Sequence, residues 1–493
     1  MASAGRIVLF FPSYETSEIS PPLALISIAA SLVADGMDVV IVDAALEGDF
    51  VARTLEALDG ALCLGVSIIT GPMIADTIAV CRAAKARYPD LPIVLGGWHP
   101  SILPEQTLAA DFVDAVVVRQ GELVFRQIVE RLQGGDTLEE LPGVLTKDRH
   151  GAIVAGPEPV YTPVAQLPSR VPGYSLVDLD RYEAATGLRW LMYSTSHGCP
   201  YNCAYCSNAS VYGRKLDVLP VEQVVDEVDW LVRNNGVRLL GIIDDIFFAS
   251  RKRSLAIAEG FVRKGLDVEW YIQDRADSIA KLTPEQAALY RRAGLTRVHF
   301  GAESGSDRVL SSIEKRSKVE TTLVAVDRCR DAGIRASFGF IFGLPDEDEE
   351  DLLLTVDLIR RIYERSERAD CHTNIFTPYP GSPLWPRSVK MGVTPPAALE
   401  EWVDFFPRLT ELPWLRGERH QRLQDIRQYL RFGYPNVRVG EDRGSLRHRL
   451  ALRMLGPSSR WRLKNHQYRL PVEVRSYETA QRLTPSLEIY ARF

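Results

Sequence analysis

Twice along this chain, short and continuously apolar runs alternate with segments of helical spacing, and no other feature narrows the fold so far. In the first block, residues 6 to about 140, the apolar runs fall at 6–11, 39–42, 63–69, 93–95 and 115–118, with helical spacing at 23–34 and 75–87. In the second block six runs follow, at 190–195, 239–244, 268–272, 297–301, 336–342 and 372–377, with helical segments at 220–234, 284–293 and 349–364 between them. A strand apolar on both faces must be covered on both faces, and a parallel sheet flanked by helices does this. The fold class is therefore α/β. The first block predicts a doubly wound, Rossmann-like sheet, and the second a partial (β/α)6 barrel open on one side. Both architectures bind ligands at the carboxyl ends of their strands.

A chain of 493 residues exceeds one ordinary core, so two or three domains are expected. Residues 141–188 read as a connector, punctuated by Gly156-Pro157-Glu158-Pro159, Leu167-Pro168 and Val171-Pro172-Gly173. The division is then 1–140, 141–188, 189–385 and a C-terminal region at 386–493. A net charge of −6 argues against overall nucleic-acid affinity. The longest apolar stretch, 23–33, is too short to cross a bilayer. The N-terminal run, broken by Pro12, reads as a first strand rather than a signal peptide. Seven cysteines, three of them clustered, make no disulfide framework and suit a reducing cytoplasm.

The clustered three are Cys199, Cys203 and Cys206, a C-x3-C-x2-C spacing directly after the first barrel strand. That order puts them at the barrel mouth. Three thiolates on one tight loop can each bind an iron of a [4Fe–4S] cluster, which normally takes four cysteines, so one iron keeps an open position. The competing reading is zinc, which wants four ligands, usually paired. Cys329 and Cys371 stand alone and supply no second pair. With aromatic Tyr205 just before the last cysteine, the spacing is the signature of the radical S-adenosylmethionine (SAM) family. Over roughly residues 6–385 the chain resembles that family's cobalamin-binding branch, which includes the anaerobic magnesium-protoporphyrin monomethyl ester cyclase and many C-methyltransferases. The resemblance implies that the open iron chelates the amino and carboxylate groups of SAM. Reductive cleavage then gives methionine and a 5′-deoxyadenosyl radical.

The same resemblance supplies candidate SAM contacts besides Tyr205. Of Asp244 and Asp245 only one can point inward, because side chains alternate along a strand. The family pattern favours Asp244 for the SAM amino group, against a plain helix cap. Arg275 matches the branch's usual arginine and would pair with the SAM carboxylate, against a surface ion pair. Glu303 and Ser304 lie in a family SAM-contact segment after the fourth barrel strand. Gly339 and Gly343 would let adenine approach the fifth. In the first block Ser67, Thr70, Gly96, Gly97, His99 and Glu122 sit in loops resembling the cobalamin domain. The glycines permit close approach of a flat ligand, and the hydroxyls suit its polar tail. His99 could be a contact or a histidine fixing its own turn. The Asp-x-His-x-x-Gly motif is missing, so cobalt would have no lower histidine from it, and a vestigial domain that no longer binds cobalamin stays open. The acidic run 346–351 reads as the solvated first turn of a helix.

Together these readings predict a cobalamin-dependent radical enzyme that methylates an unactivated carbon of a small-molecule or lipid-linked substrate. Its cofactors would be a [4Fe–4S] cluster, SAM and cobalamin, with a flavodoxin- or ferredoxin-type electron donor as partner. The alternatives are a non-methylating cyclisation, ring contraction or rearrangement, and a non-catalytic iron–sulfur sensor. Beyond residue 386, Trp402, Phe405, Phe406, Trp414 and Leu415 suggest a helical cap over the barrel mouth. The stretch 443–475 carries Arg443, Arg447, Arg449, Arg453, Arg460, Arg462, Lys464, Arg469 and Arg475 against the single Glu473, interleaved with apolar residues such as Leu446, Leu450 and Trp461. It reads either as a peripheral membrane contact or as an amphipathic helix packed on the barrel.

Overall fold

The computed structural model describes residues 5–13, 19–405, 411–434 and 446–483, without the side chains of 446–453, 478 and 480–483. Strands β1 (Arg6–Phe11), β2 (Val39–Asp43), β3 (Ala61–Ser67), β4 (Ile93–Gly96) and β5 (Ala115–Val117) form a parallel sheet in the order 2-1-3-4-5. Ile7, Val8, Leu9 and Phe10 are all buried because helices cover both faces, as a continuous apolar run demands. The sheet does not stop near residue 140. Strands β6 (Val144–Lys147) and β7 (Ile153–Ala155) add an antiparallel hairpin beyond β5, so the expected connector begins with two strands. Its turn is held by Asp148, whose carboxylate accepts from the amides of His150 and Ala152. Further on, the helix Leu179–Thr186 is tied back to the first sheet: the Tyr182 hydroxyl donates to Asp43 at 2.6 Å, and Arg181 pairs with Glu47.

The second sheet starts with β8 (Trp190–Tyr193). A two-residue ladder of β9 (Ser196–His197) with β10 (Asp217–Val218) follows, bracketing the cysteine loop. Then come β11 (Leu239–Ile242), β12 (Glu269–Asp274), β13 (Leu295–Glu303), β14 (Arg335–Phe342) and β15 (Asp370–Ile375). Six parallel strands lie in the order 8-11-12-13-14-15, with β8 and β15 as open edges. One face packs on the helices Val221–Asn235, Arg251–Lys264, Pro284–Arg292, Val319–Ala332 and Glu349–Arg365. Leu240, Ile242, Trp270, Ile272, Val298, Phe300 and Phe338 from the strands fill that core. The acidic run does open a helix, since Asp348 is the N-cap and forms a capping box with Asp351. It is not all solvated, however: Glu347 and Asp351 are buried, and Asp351 accepts from the Ser306 hydroxyl at 2.6 Å.

The C-terminal region divides its contacts. Trp402 and Phe405 pack into the core of the first sheet's helices rather than over the barrel. Trp414 and Leu415 sit at the end of β14, where the Trp414 indole donates to the Gly343 carbonyl at 2.9 Å. Phe406 lies outside the described residues. The helix Gly417–Gly433 reaches the β15 edge, with Arg427 donating to the Thr373 carbonyl at 2.7 Å. Packed on it is the helix Leu446–Asn465, followed by Val472–Leu483. Arg443 lies outside the described residues. Of the described basic side chains, Arg462 pairs with Glu473, Arg475 with Asp425, and Arg460 donates to the Gly433 carbonyl. Met454, Trp461, Leu470 and Val472 face solvent instead. No described helix is long and apolar enough to cross a membrane.

Candidate functional site

The chain leaves β8 in a loop fastened by one carboxylate. Asp244, at the end of β11, accepts the amides of Thr195 (2.6 Å) and Ser196 (3.1 Å) and both of their hydroxyls (2.5 and 2.6 Å). Arg253 adds a bond to the Thr195 carbonyl. Asp244 is 1% exposed and engaged by four donors, so the structure gives it to the loop and not to a ligand. Its neighbour Asp245, also beyond the end of the strand, accepts from the Gly198 amide at 3.1 Å and lines the cavity described below. Burial raises the Asp245 carboxyl above the ordinary range. Gly198 itself has φ +79°, and a Cβ there would stand 2.1 Å from the Lys215 carbonyl oxygen, so only glycine makes the turn into the cysteines.

Cys199, Cys203 and Cys206 are free, half-buried thiols on that turn, and the Cys206 amide donates to the Cys203 carbonyl. Burial pushes the Cys199 thiol up to about 11 and raises Cys206 as well, so a metal must displace their protons. Among the described residues no three His, Cys, Asp or Glu side chains converge as ligands of a single ion. The loop supplies three thiols, one short of the four ligands that zinc takes. Arg275 runs beside them, 5% exposed, its guanidinium 3.9 Å from the Tyr201 ring centre. It pairs with Asp277 at 2.9 Å, donates to the Lys315 carbonyl at 2.5 Å and reaches the Cys203 sulfur at 3.9 Å. It is no surface ion pair, and its fork is spent within the protein.

Behind the loop lies a buried triad. The Lys315 ammonium sits 2.8 Å from Glu303, whose carboxylate also accepts from the Tyr205 hydroxyl at 2.7 Å. Burial, and then the Glu303 charge, holds the Tyr205 phenol well above its usual range. Glu303 adopts φ +64°, beside a register irregularity in β13 that turns its side chain toward the cysteines. Ser304, by contrast, is fully buried, and its hydroxyl meets Thr355 of the helix behind the sheet. Gly343 has φ +78° and donates its amide to Glu347. Burial raises Glu347 to about 7, and its second oxygen has no hydrogen-bond partner.

A cavity of about 290 Å³ separates the first sheet from the cysteine loop. Ser67, Gly96, Gly97 and Glu122 line it from one side, with His197 and Asp245 from the other. Gly97 has φ +99°, and a Cβ there would lie 2.6 Å from the Ile68 carbonyl oxygen. Two expected contacts are missing from this wall. His99 is fully buried, bonded through Nδ1 to the Thr70 hydroxyl at 3.1 Å and set edge-on to Trp402. Burial lowers its pKa to about 4. Thr70 and His99 thus fasten their own loop. Sequence reasoning passed over His197, Lys315 and Tyr201. His197 could have been found from its place next to Gly198, whereas nothing local marks Lys315.

Comparison with known proteins agrees with this geometry. The profile of the radical SAM superfamily matches residues 193–359, and that of the B12 binding domain matches residues 15–129. The chain is 30% identical over 390 residues to an uncharacterised methyltransferase of Pyrococcus horikoshii, covering 77% of this chain and 82% of that one. It is 29% identical to the anaerobic magnesium-protoporphyrin IX monomethyl ester cyclase of Rubrivivax gelatinosus, over 72% of this chain and 65% of that one. Among solved structures, the cobalamin-dependent SAM radical enzyme OxsB, with aqua-cobalamin and SAM bound, superposes with a TM-score of 0.72 at 18% identity, covering 99% of this chain and 76% of that one.

Proposed function

The chain belongs to the cobalamin-dependent radical SAM methyltransferases, and from that premise we propose that it replaces a hydrogen on an unactivated carbon of a small molecule with a methyl group. The observation that carries the proposal is the shared cavity. Cobalamin-binding loops form one wall, and the loop leading into three cluster-binding cysteines forms the other. When bound, the cluster and cobalamin supply the reductive cleavage of SAM and the transferable methyl group. The chain's own residues position these groups. Cys199, Cys203 and Cys206 hold the cluster. Ser67, Gly96, Gly97 and Glu122 seat the cobalamin in the first unit, residues 1–140 extended by the β6–β7 hairpin. Asp245, which makes one bond to the loop where Asp244 makes four, faces the cavity and takes the ammonium of SAM. Tyr205, fixed by Glu303 and Lys315, shields the cluster, whereas Leu415 and Leu412 fill the space beside Gly343 that the sequence offered to adenine.

In each turnover the displaced hydrogen ends on 5′-deoxyadenosine. One SAM becomes methionine, a second becomes S-adenosylhomocysteine, and two electrons enter. A flavodoxin- or ferredoxin-type protein is the donor in this reading. Exposed Met454 and Trp461, with Lys464 nearby, support an added contact with an anionic membrane surface, which vesicle flotation at low and high salt tests. The main test is product analysis with methyl-deuterated SAM after anaerobic reconstitution. Equal amounts of 5′-deoxyadenosine and S-adenosylhomocysteine, with label in the product, are expected. 5′-Deoxyadenosine alone means rearrangement or cyclisation, and neither product means a sensor. Replacing all three cysteines with alanine should remove the iron–sulfur absorption, and its retention would defeat the assignment.

A further inference from the structure

One face of the six-stranded sheet is spent on helices, and no described helix covers the other. Strand register determines what stands on that open face. Gln273, His299 and Ser337 are paired neighbours across β12, β13 and β14. One layer further toward the cysteines, Gly301, Gly339 and His372 are paired. One layer away from them, Tyr271 pairs with Arg297. Contacts confirm a common direction. The Tyr271 and His299 rings lie 5.5 Å apart edge to face, and His372 meets the Ser337 hydroxyl at 2.9 Å.

This face is polar, and while Tyr271, Arg335 and Asp370 on it are engaged, others of its groups are not. The side chains of Gln273, His299 and Asn374 have no hydrogen-bond partner among the described residues, and Arg297 has no carboxylate partner there. Burial, then Arg297 and His372, brings His299 down to about 4, so at neutral pH it is an uncharged donor and acceptor. Covering such a surface with hydrocarbon would strip these groups of water and return nothing. Resting on the radical methylation reading above, we infer that the substrate is a water-soluble small molecule bearing an anionic group. Its anion sits on Arg297, its polar framework bonds to Gln273 and His299, and its reacting carbon lies beside Gly339, at the level of Gly301. Four residues at about 3.3 Å each separate those levels, so the molecule spans roughly 13 Å. At that level Gly339 leaves open space beside it, whereas the space off Gly301 is taken by Glu303 and Lys315, which wall that end beside the cysteine loop.

The test uses the full chain, reconstituted anaerobically with all three cofactors. Extract of cells that carry this gene is partitioned between chloroform and water, and the aqueous phase is split on an anion exchanger. Each fraction is incubated with methyl-deuterated SAM, and 5′-deoxyadenosine and labelled product are measured. The retained anionic fraction should raise 5′-deoxyadenosine well above the level without extract, and the chloroform phase should not. Arg297→Gln should raise the amount needed for half-maximal rate by about 10- to 100-fold with little change in maximal rate. Arg297→Lys should recover most of that loss, and unchanged SAM binding by both variants would show that they are folded. Activity with the chloroform phase or the unretained fraction, or an Arg297→Gln enzyme equal to the parent, overturns the inference while methylation stands. If the anionic fraction stimulates 5′-deoxyadenosine without methyl label, methylation falls and the inference stands. If no fraction stimulates it, both fall.

Discussion

Asp244 and Asp245 are adjacent carboxylates with opposite duties, and replacing each with asparagine separates loop anchoring from ligand contact. In Asp244→Asn one oxygen still accepts the amides of Thr195 and Ser196, but the other becomes an NH2 facing the two hydroxyls that donated to it. The Thr195 hydroxyl, which also accepts from Arg253 at 3.1 Å, then loses the carboxylate that took its proton. Two charge-assisted bonds at about 1.5 kcal/mol each give a local loss of about 3 kcal/mol. Local opening of the loop should then be about 100-fold more frequent. Hydrogen exchange followed by mass spectrometry on the apo chain reads this directly: peptides spanning 194–206 should lose protection while those of β13 and β14 do not. Asp245→Asn keeps an oxygen for the Gly198 amide and should change exchange little, yet weaken SAM binding measured by calorimetry on the reconstituted enzyme. The reasoning is refuted if Asp244→Asn leaves the 194–206 peptides as protected as the parent, or if it weakens SAM binding at full loop protection while Asp245→Asn does nothing.

Three further outcomes are expected. Lys315→Met leaves the buried Glu303 without its cation and should destabilise the apo chain by about 3–5 kcal/mol in urea unfolding, while Glu303→Gln with Lys315→Met should recover most of that; a double variant no better than the single would show that the ion pair is not the cause. Glu347 titrates near 7 in the folded chain against 4.5 in the unfolded, so its contribution is fully present below pH 4.5 and lost as pH rises through 7, by about 3 kcal/mol. Glu347→Gln should flatten that window of the stability profile, and an unchanged profile counts against the assignment. His99→Ala should leave the electron paramagnetic resonance of the cob(II)alamin form unaltered, with no axial nitrogen splitting from histidine in either protein, because His99 faces Trp402 and not the cavity. Histidine splitting that vanishes in the variant would reverse that placement.

The first sheet was readable because a run such as Ile7–Phe10 is apolar on both faces, as a covered parallel sheet demands, and the second because Phe338, Phe340 and Phe342 keep one face apolar against its helices. The β6–β7 hairpin was not, since its strands are short and lie among prolines. At the site, alternation predicts that only one of Asp244 and Asp245 turns inward, but the strand ends at Ile242 and both lie in the loop beyond it. The direction of Asp244 depends on the Thr195 and Ser196 donors, some fifty residues away in the chain. Likewise Thr70 and His99 occupy a plausible loop, but their direction is set by Trp402, about three hundred residues downstream. Lys315 was invisible because a lysine outside any motif acquires meaning only when folding buries it against Glu303.

The reach of Trp402 back into the first unit bears on how the chain is made. Its indole donates to Gln106 at 2.6 Å across 296 residues, Gln106 in turn holds the Pro396 carbonyl, and Arg82 pairs with Glu400. At 5–20 residues per second, a ribosome needs about 15–60 s to travel that distance. During that interval the nascent first unit presents the apolar seat of Trp402 and Phe405 to the cell uncovered. Its surface is completed only when synthesis has passed the whole barrel, which makes this segment a natural place for a chaperone to hold the growing chain.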